Sequence, residues 1–156
     1  MIIDVIIDSS TYGNIIKDKP NTIRIVERIA KDQNFRVHNF RVIRDELRRA
    51  PNMLPVYDDI VTSTIIDDSN QIRKLADEYF KEYRKLGGGV GKKKIFNDFK
   101  IVACATLKNF DLVVSDDERT MKSTKAVQAY KIINIKINRR TPTFHSYSDL
   151  KRRYEN

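Results

Sequence analysis

A single cysteine, Cys104, is the only thiol in this chain. That excludes an internal disulfide and a thiolate metal cluster. Its setting, "KIVACATL", reads as the buried face of a helix, so the thiol is expected to be packed rather than reactive. There are only two histidines, His38 and His145, and both are too isolated to suggest a zinc site. No apolar run approaches the roughly 20 residues needed to span a bilayer, so no membrane association is expected. The N-terminus, "MIIDVIIDSS", carries Asp4 and Asp8 and no leading basic residue. That argues against a signal peptide and for a strand, hence a cytoplasmic protein. There is no internal repeat and no convincing linker, and 156 residues suffice for one domain with a sizeable core.

What the chain has in excess is positive charge. Lys plus Arg number 30 against 21 Asp plus Glu, a net charge of +9. Such a balance favours a polyanionic partner, nucleic acid before a membrane surface, although a solubilising surface gives the same totals.

Strand and helix signals alternate. Val5, Ile6 and Ile7 suit a strand buried on both faces. "NTIRIVERIAKDQN" spaces Ile23, Val26, Ile29 and Ala30 at helical intervals after a cap at Asn21 or Thr22. "FRVHNF" alternates as a second strand, and "RVIRDELRRAP" reads as a helix stopped at Pro51. "PNMLPVYDDIVTS" predicts a short helix or loop, and "TSTIID" a third strand. In "DDSNQIRKLADEYFKEYRKLGG", Ile72, Leu75, Ala76, Tyr79, Phe80, Tyr83 and Leu86 share one stripe. Asp68 and Gln71 resemble its capping box, and Gly87 ends it. A further helix carries Ile101, Val102, Ala105 and Phe110. The strand "DLVV", a short helix around "STKAVQAY" and the strand "KIINIKI" follow. The tail closes on a helix capped by Ser148. Alternation of this kind implies a parallel α/β sheet flanked by helices.

In such sheets, ligands bind beyond the carboxyl ends of the strands. The first strand ends at Asp8, followed by Ser9 and Ser10; the strand "DLVV" ends at Asp116 and Asp117. Asp8 by itself reads as a helix cap before it reads as a ligand. Glu46 lies on the Ile43–Leu47–Ala50 face of its helix, or at that face's edge, and an inward carboxylate needs a cation, an arginine or a hydrogen-bond partner. Asp98 opens a helix near its core-facing stripe, as a ligand or as a dipole-stabilising residue. Clustered carboxylates repel unless a cation neutralises them, and an all-oxygen shell suits Mg²⁺ or Mn²⁺.

The order of these acids resembles the PIN-domain family of nucleases, including VapC-like toxins. The resemblance covers Ile2 to about Ile137 and rests on four motifs. "VIIDSS" gives Asp8 and Ser10, "DELRR" gives Glu46, "NDFKIVACA" gives Asp98, and "LVVSDD" gives Asp116 with Asp117 beside it. It implies a three-layer α/β/α sandwich around a mostly parallel five-stranded sheet, in a domain spanning residues 1–137. Residues 138–156 would be a basic extension packed on or flanking that domain. It further implies an acidic pocket for one or two Mg²⁺ or Mn²⁺ ions and hydrolysis of RNA phosphodiesters. Asp8, Asp98 and Asp116 would bind metal, and Glu46 would act through a water. Ser10 would hydrogen-bond a ligand, and Asp117 would be an outer ligand or a helix cap. An antitoxin partner and a homodimer belong to the same expectation. Many PIN toxins carry a Phe shortly after the fourth motif; "SDDERTM" has none.

The basic segments suit an RNA path. "GGGVGKKK" lacks the preceding strand and the final Lys-Ser or Lys-Thr of a nucleotide-binding P-loop. Lys92, Lys93 and Lys94 could instead touch backbone phosphates. Arg48, Arg49, Arg139, Arg140 and the Lys151–Arg153 run could form a basic rim. Phe144 and Tyr147 either stack on bases or pack. Two other readings use the same features: a catalytically silent PIN-like module that binds RNA or protein, and a phosphoacceptor receiver domain. The receiver pattern wants its acid pair in the first strand and a Lys after the last, and neither is found here.

Overall fold

The computed structural model of the chain describes residues 1–62 and 64–155. Its elements run β1 (Ile3–Ile7), α1 (Ser9–Lys17), α2 (Thr22–Lys31), β2 (Phe35–Val37), β3 (Asn39–Phe40), α3 (Arg41–Leu47) and α4 (Leu54–Ile60). They continue with β4 (Ile65–Ile66), α5 (Asn70–Lys85), α6 (Lys92–Leu107), β5 (Leu112–Val114), α7 (Thr124–Lys136), β6 (Thr143–His145) and α8 (Tyr147–Arg153).

Four strands form one parallel sheet in the order β2-β1-β5-β6, and β3 pairs in parallel with β4. Only His38 separates β2 from β3, so the stretch 35–40 passes from pairing with β1 to pairing with β4. The expected parallel α/β sandwich is present, with four strands and a two-stranded ladder in place of one five-stranded sheet. Right-handed crossovers fix the layers. The chain leaves β1 towards β2 through α1 and α2 and returns to the far side of β1 through α5 and α6. The two sets of helices therefore cover opposite faces.

Parallel strands buried on both faces must be apolar throughout. Val5, Ile6, Ile7, Val113 and Val114 meet that demand. Against them lies α6, whose run Ile101–Thr106 is buried without a break because β1 and β5 flank it on one side and α5 on the other. Each such aliphatic side chain contributes about 1.5–3 kcal/mol by leaving water. Cys104 sits within this run, and burial pushes its thiol up to about 12, as a packed thiol requires.

Several local expectations change. The segment "KIINIKI" is not a strand but the second half of α7. There Ala126, Ala129, Tyr130 and Ile133 form a helical stripe, and Asn138, at φ 56°, follows the helix end. The edge strand is Thr143–His145 instead. Helix α1 follows Asp8 directly, as the cap reading of Asp8 requires, although apolar periodicity marks no helix there. On α2 the core residues are Ile25 and Ile29, while Ile23 is 74% exposed and Ala30 is exposed. Ser69 caps α5 by accepting from Ile72 N, whereas Asp68 pairs with Arg73 and Lys100. Phe110 lies beyond α6, stacked on His38. Ser146, not Ser148, caps α8 in a reciprocal box with Asp149. The expected strand "TSTIID" appears as Ile65–Ile66, and its Ser63 lies outside the described residues.

Candidate active site

The crossovers leave β1 in opposite directions, which makes the β1–β5 edge a switch point where a crevice opens beyond the strand ends. Register fixes what stands there. Ile7 pairs with Val114, and Asp8 N then donates to Val114 O at 3.0 Å, so Asp8 and Ser115 come side by side. Asp8 is only 3% exposed. Its Oδ1 accepts from Ser10 Oγ at 2.7 Å and from Thr11 N at 3.2 Å, and its Oδ2 accepts from Ser115 Oγ at 2.6 Å. It is thus the N-cap of α1 and a member of the strand-end cluster at once. Burial raises its pKa despite these donors, and the charge of Asp117 adds to the rise.

The acidic doublet divides. Asp116 Oδ2 accepts from Asn14 Nδ2 at 2.5 Å and Oδ1 from Tyr147 N at 2.9 Å, so this carboxylate ties α1 to the start of α8. Asp117 belongs to the other acids: its charge raises both Asp8 and Asp98. Its backbone N donates to Ser115 Oγ at 3.0 Å, and its Oδ1 accepts from Thr120 N at 2.9 Å.

Asp98 lies in the second turn of α6, and Thr120 Oγ1 stands 2.5 Å from its Oδ2. Its pKa is pushed up to about 7, chiefly by burial and then by the charges of Asp117 and Asp8, against the Thr120 hydrogen bond. Glu46 on α3 is likewise pushed up to about 7 by burial, with Asp98 and Asp8 adding their repulsion. Its Oε1 is buried with no hydrogen-bond partner. The arginines that would pair with it are engaged elsewhere: Arg44 with Asp58 and Arg48 with Asp45.

Asp8, Asp98 and Asp117 therefore lie within electrostatic reach of one another, and Glu46 within reach of Asp98 and Asp8. Among the described residues, no three acidic, histidine or cysteine side chains already converge as a ready-made ion cradle. The donor chemistry nevertheless fits a hard divalent cation. All the groups are oxygens, they destabilise one another when ionised, and the orphaned Glu46 Oε1 lacks the partner that a cation or its water would supply.

The remaining expected residues scatter. Arg49, Lys93, Lys94 and Arg139 are exposed. Lys92 is held by Asp77 at 2.6 Å and lies 4.8 Å from the Phe96 ring centroid. Only the start of the glycine-rich loop is constrained: Gly87 has φ +93°, and a Cβ on Gly88 would stand 2.4 Å from the Tyr83 ring, whereas Gly89 and Gly91 face open space. Arg140 donates to Asn109 O, Phe110 O and Asp111, at the opposite end of β5 from the acids. Phe144 stacks on Tyr130, and the Tyr147 hydroxyl donates to Asp18. His38 bonds Asp4. Sequence reasoning missed Thr11, Asn14, Ser115 and Thr120. For the last the sequence signalled at most a turn, in which Asp117 Oδ1 accepts from Arg119 N and Thr120 N, and not the contact with Asp98.

The PIN domain pattern matches residues 5–126, more than half of the chain. The chain belongs to the PIN-domain family. No curated protein sequence matches it significantly. Among solved structures it is similar to VapBC2 from Rickettsia felis bound to a DNA fragment from their promoter. The TM-score is 0.58 at 15% identity over 92% of this chain and 98% of that one. It is also similar to VapBC-1 from nontypeable Haemophilus influenzae, with a TM-score of 0.57 at 14% identity over 94% of this chain and 99% of that one. At these identities the likeness is one of fold.

Proposed function

We propose that the chain is a Mg²⁺- or Mn²⁺-dependent endoribonuclease, the VapC-like toxin of a pair with an antitoxin protein. The observation that carries this reading is Glu46. A half-buried carboxylate with an orphaned Oε1 and a pKa of about 7 is held within reach of the Asp98 and Asp8 charges at the switch point of a PIN fold. PIN-domain nucleases generally use divalent ions, and the fold relatives are VapBC proteins.

Asp8, Asp98 and Asp117 would hold the ion, with Glu46 acting through a water. A bound divalent ion lowers the pKa of water and stabilises charge developing on phosphate oxygens. The protein's own part is positioning. Ser10, Thr11 and Ser115 fix the Asp8 carboxylate, and Glu46 Oε1 offers an acceptor to a water. Asp116, which the motif order favoured as the metal ligand, would instead anchor α8, a reading supported by the bonds it accepts from Asn14 Nδ2 and Tyr147 N. The net charge of +9 would gather RNA, with exposed Arg49, Lys93 and Lys94 nearest the acidic helices in sequence. A homodimer and a cytoplasmic setting complete the proposal.

The test is cleavage of single-stranded RNA in Mn²⁺ or Mg²⁺. EDTA and Asp8→Asn should each abolish it, with the fold intact by circular dichroism. Metal-dependent cutting that survives Asp8→Asn would overturn the site.

A further inference from the structure

We propose that Thr120 is a positioning residue that yokes Asp98 to Asp117 and sets the separation of these two carboxylates for a divalent cation; the role rests on the metal-site reading above. The two acids come from different elements. Asp98 rides on α6, and Asp117 sits in the loop after β5. Nothing in the backbone ladder joins them. Thr120 does: its Oγ1 stands 2.5 Å from Asp98 Oδ2 and 2.5 Å from Asp117 Oδ2, and its own N donates to Asp117 Oδ1 at 2.9 Å. Both oxygens of Asp117 are thus taken by one residue, which also reaches across to α6.

Three physical points make this more than a surface contact. Thr120 is 6% exposed, so water does not compete for its bonds. Threonine is β-branched and stiff at χ1, so a hydroxyl placed here stays placed. A hydroxyl carries one proton and two acceptor lone pairs, so it donates to one carboxylate and accepts from the other only if that one is protonated. With both acids ionised, one carboxylate oxygen faces Oγ1 without a proton between them, and a cation held between the acids would supply the missing attraction. The yoke therefore holds the pair close while leaving it electrostatically unfinished.

The loop does not depend on Thr120 for its shape. Lys122 N donates to Asp117 O at 2.9 Å, and Lys122 Nζ donates to Ser115 O at 2.8 Å, closing the same turn from its far end. Removing the Thr120 hydroxyl should then free the carboxylates and leave the loop in place.

The experiment is Mn²⁺ titration by calorimetry of the wild-type chain, Thr120→Val and Thr120→Ser, with Thr120→Ala as a second hydroxyl-free variant should the valine not fold. Partners that orient metal ligands are worth about 10–100-fold in affinity, so Val or Ala should weaken Mn²⁺ binding by about that factor, and Ser should restore it to within about threefold. In RNA cleavage at fixed Mn²⁺, kcat should fall while KM for RNA holds. Equal Mn²⁺ affinity in wild type and the hydroxyl-free variants would overturn the Thr120 role alone. A Ser variant as weak as Val would do the same, assigning the effect to the methyl group. A wild-type chain that binds no Mn²⁺ would overturn the metal site itself, and this role with it.

Discussion

Ser115 Oγ donates to Asp8 Oδ2 at 2.6 Å while accepting from Asp117 N at 3.0 Å, so one buried hydroxyl joins the end of β1 to the acidic loop after β5. Parallel register brings Asp8 beside Ser115, and the turn after β5 brings the Asp117 amide to the same hydroxyl. Ser115→Ala should lower cleavage about 10–100-fold, as for other partners of metal ligands. It should also destabilise the chain by about 1–3 kcal/mol, because Asp8 and the Asp117 amide lose a buried partner. Urea unfolding and RNA cleavage, measured on the same preparation, read both effects.

The doublet should separate by mutation. Asp117→Asn is expected to abolish metal-dependent cleavage. Asp116→Ala is expected to keep Mn²⁺ binding but loosen α8, since Tyr147 N and Asn14 lose their acceptor. Hydrogen exchange over residues 147–153 should rise in Asp116→Ala and stay unchanged in Asp117→Asn.

The raised carboxyls set a pH dependence. Asp98 moves from 3.8 to about 7 and Glu46 from 4.5 to about 7 on folding. Between about pH 4 and pH 7 the folded chain therefore holds more protons than the unfolded one, and stability falls as pH rises through that window. In EDTA, Tm should drop from pH 5 to pH 8, and Asp98→Asn should flatten the drop. Mn²⁺ should raise Tm more at pH 8 than at pH 5.

The basic residues should divide by their pairing. Each lost phosphate contact lowers the slope of log affinity against log salt by about 0.7 for a single strand. Lys93→Ala and Lys94→Ala should each show such a loss for single-stranded RNA. Lys92→Ala, which breaks the pair with Asp77, should cost stability instead. Arg140→Ala, at the far end of β5, should leave RNA binding unchanged.

Much of this was legible in the sequence because burial on both faces forces uninterrupted apolar strands, as in Val5–Ile7 and Leu112–Val114. Helix α5 declared itself through its stripe for a similar reason. "KIINIKI" misled because β-branched density mimics a strand, while the helical stripe that decides it begins earlier, at Ala126. Helix α1 was hidden by Gly13 and a run of small polar residues. Among the acids, sequence order led to the four elements that carry them. Which member of the Asp116–Asp117 pair turns to the cluster depends on two donors, the Asn14 side chain and the Tyr147 main-chain N–H, which lie 102 and 31 residues away. Thr120 escaped because its role exists only once α6 meets the loop.

The most direct test of the central claim is a single assay: cleavage of single-stranded RNA by the wild-type chain and by a folded Asp8→Asn variant, each with Mn²⁺ and with EDTA. The account predicts cleavage only by the wild type with Mn²⁺. Salt-sensitive RNA binding without cleavage in either Mg²⁺ or Mn²⁺, or cutting that persists in Asp8→Asn, would contradict it.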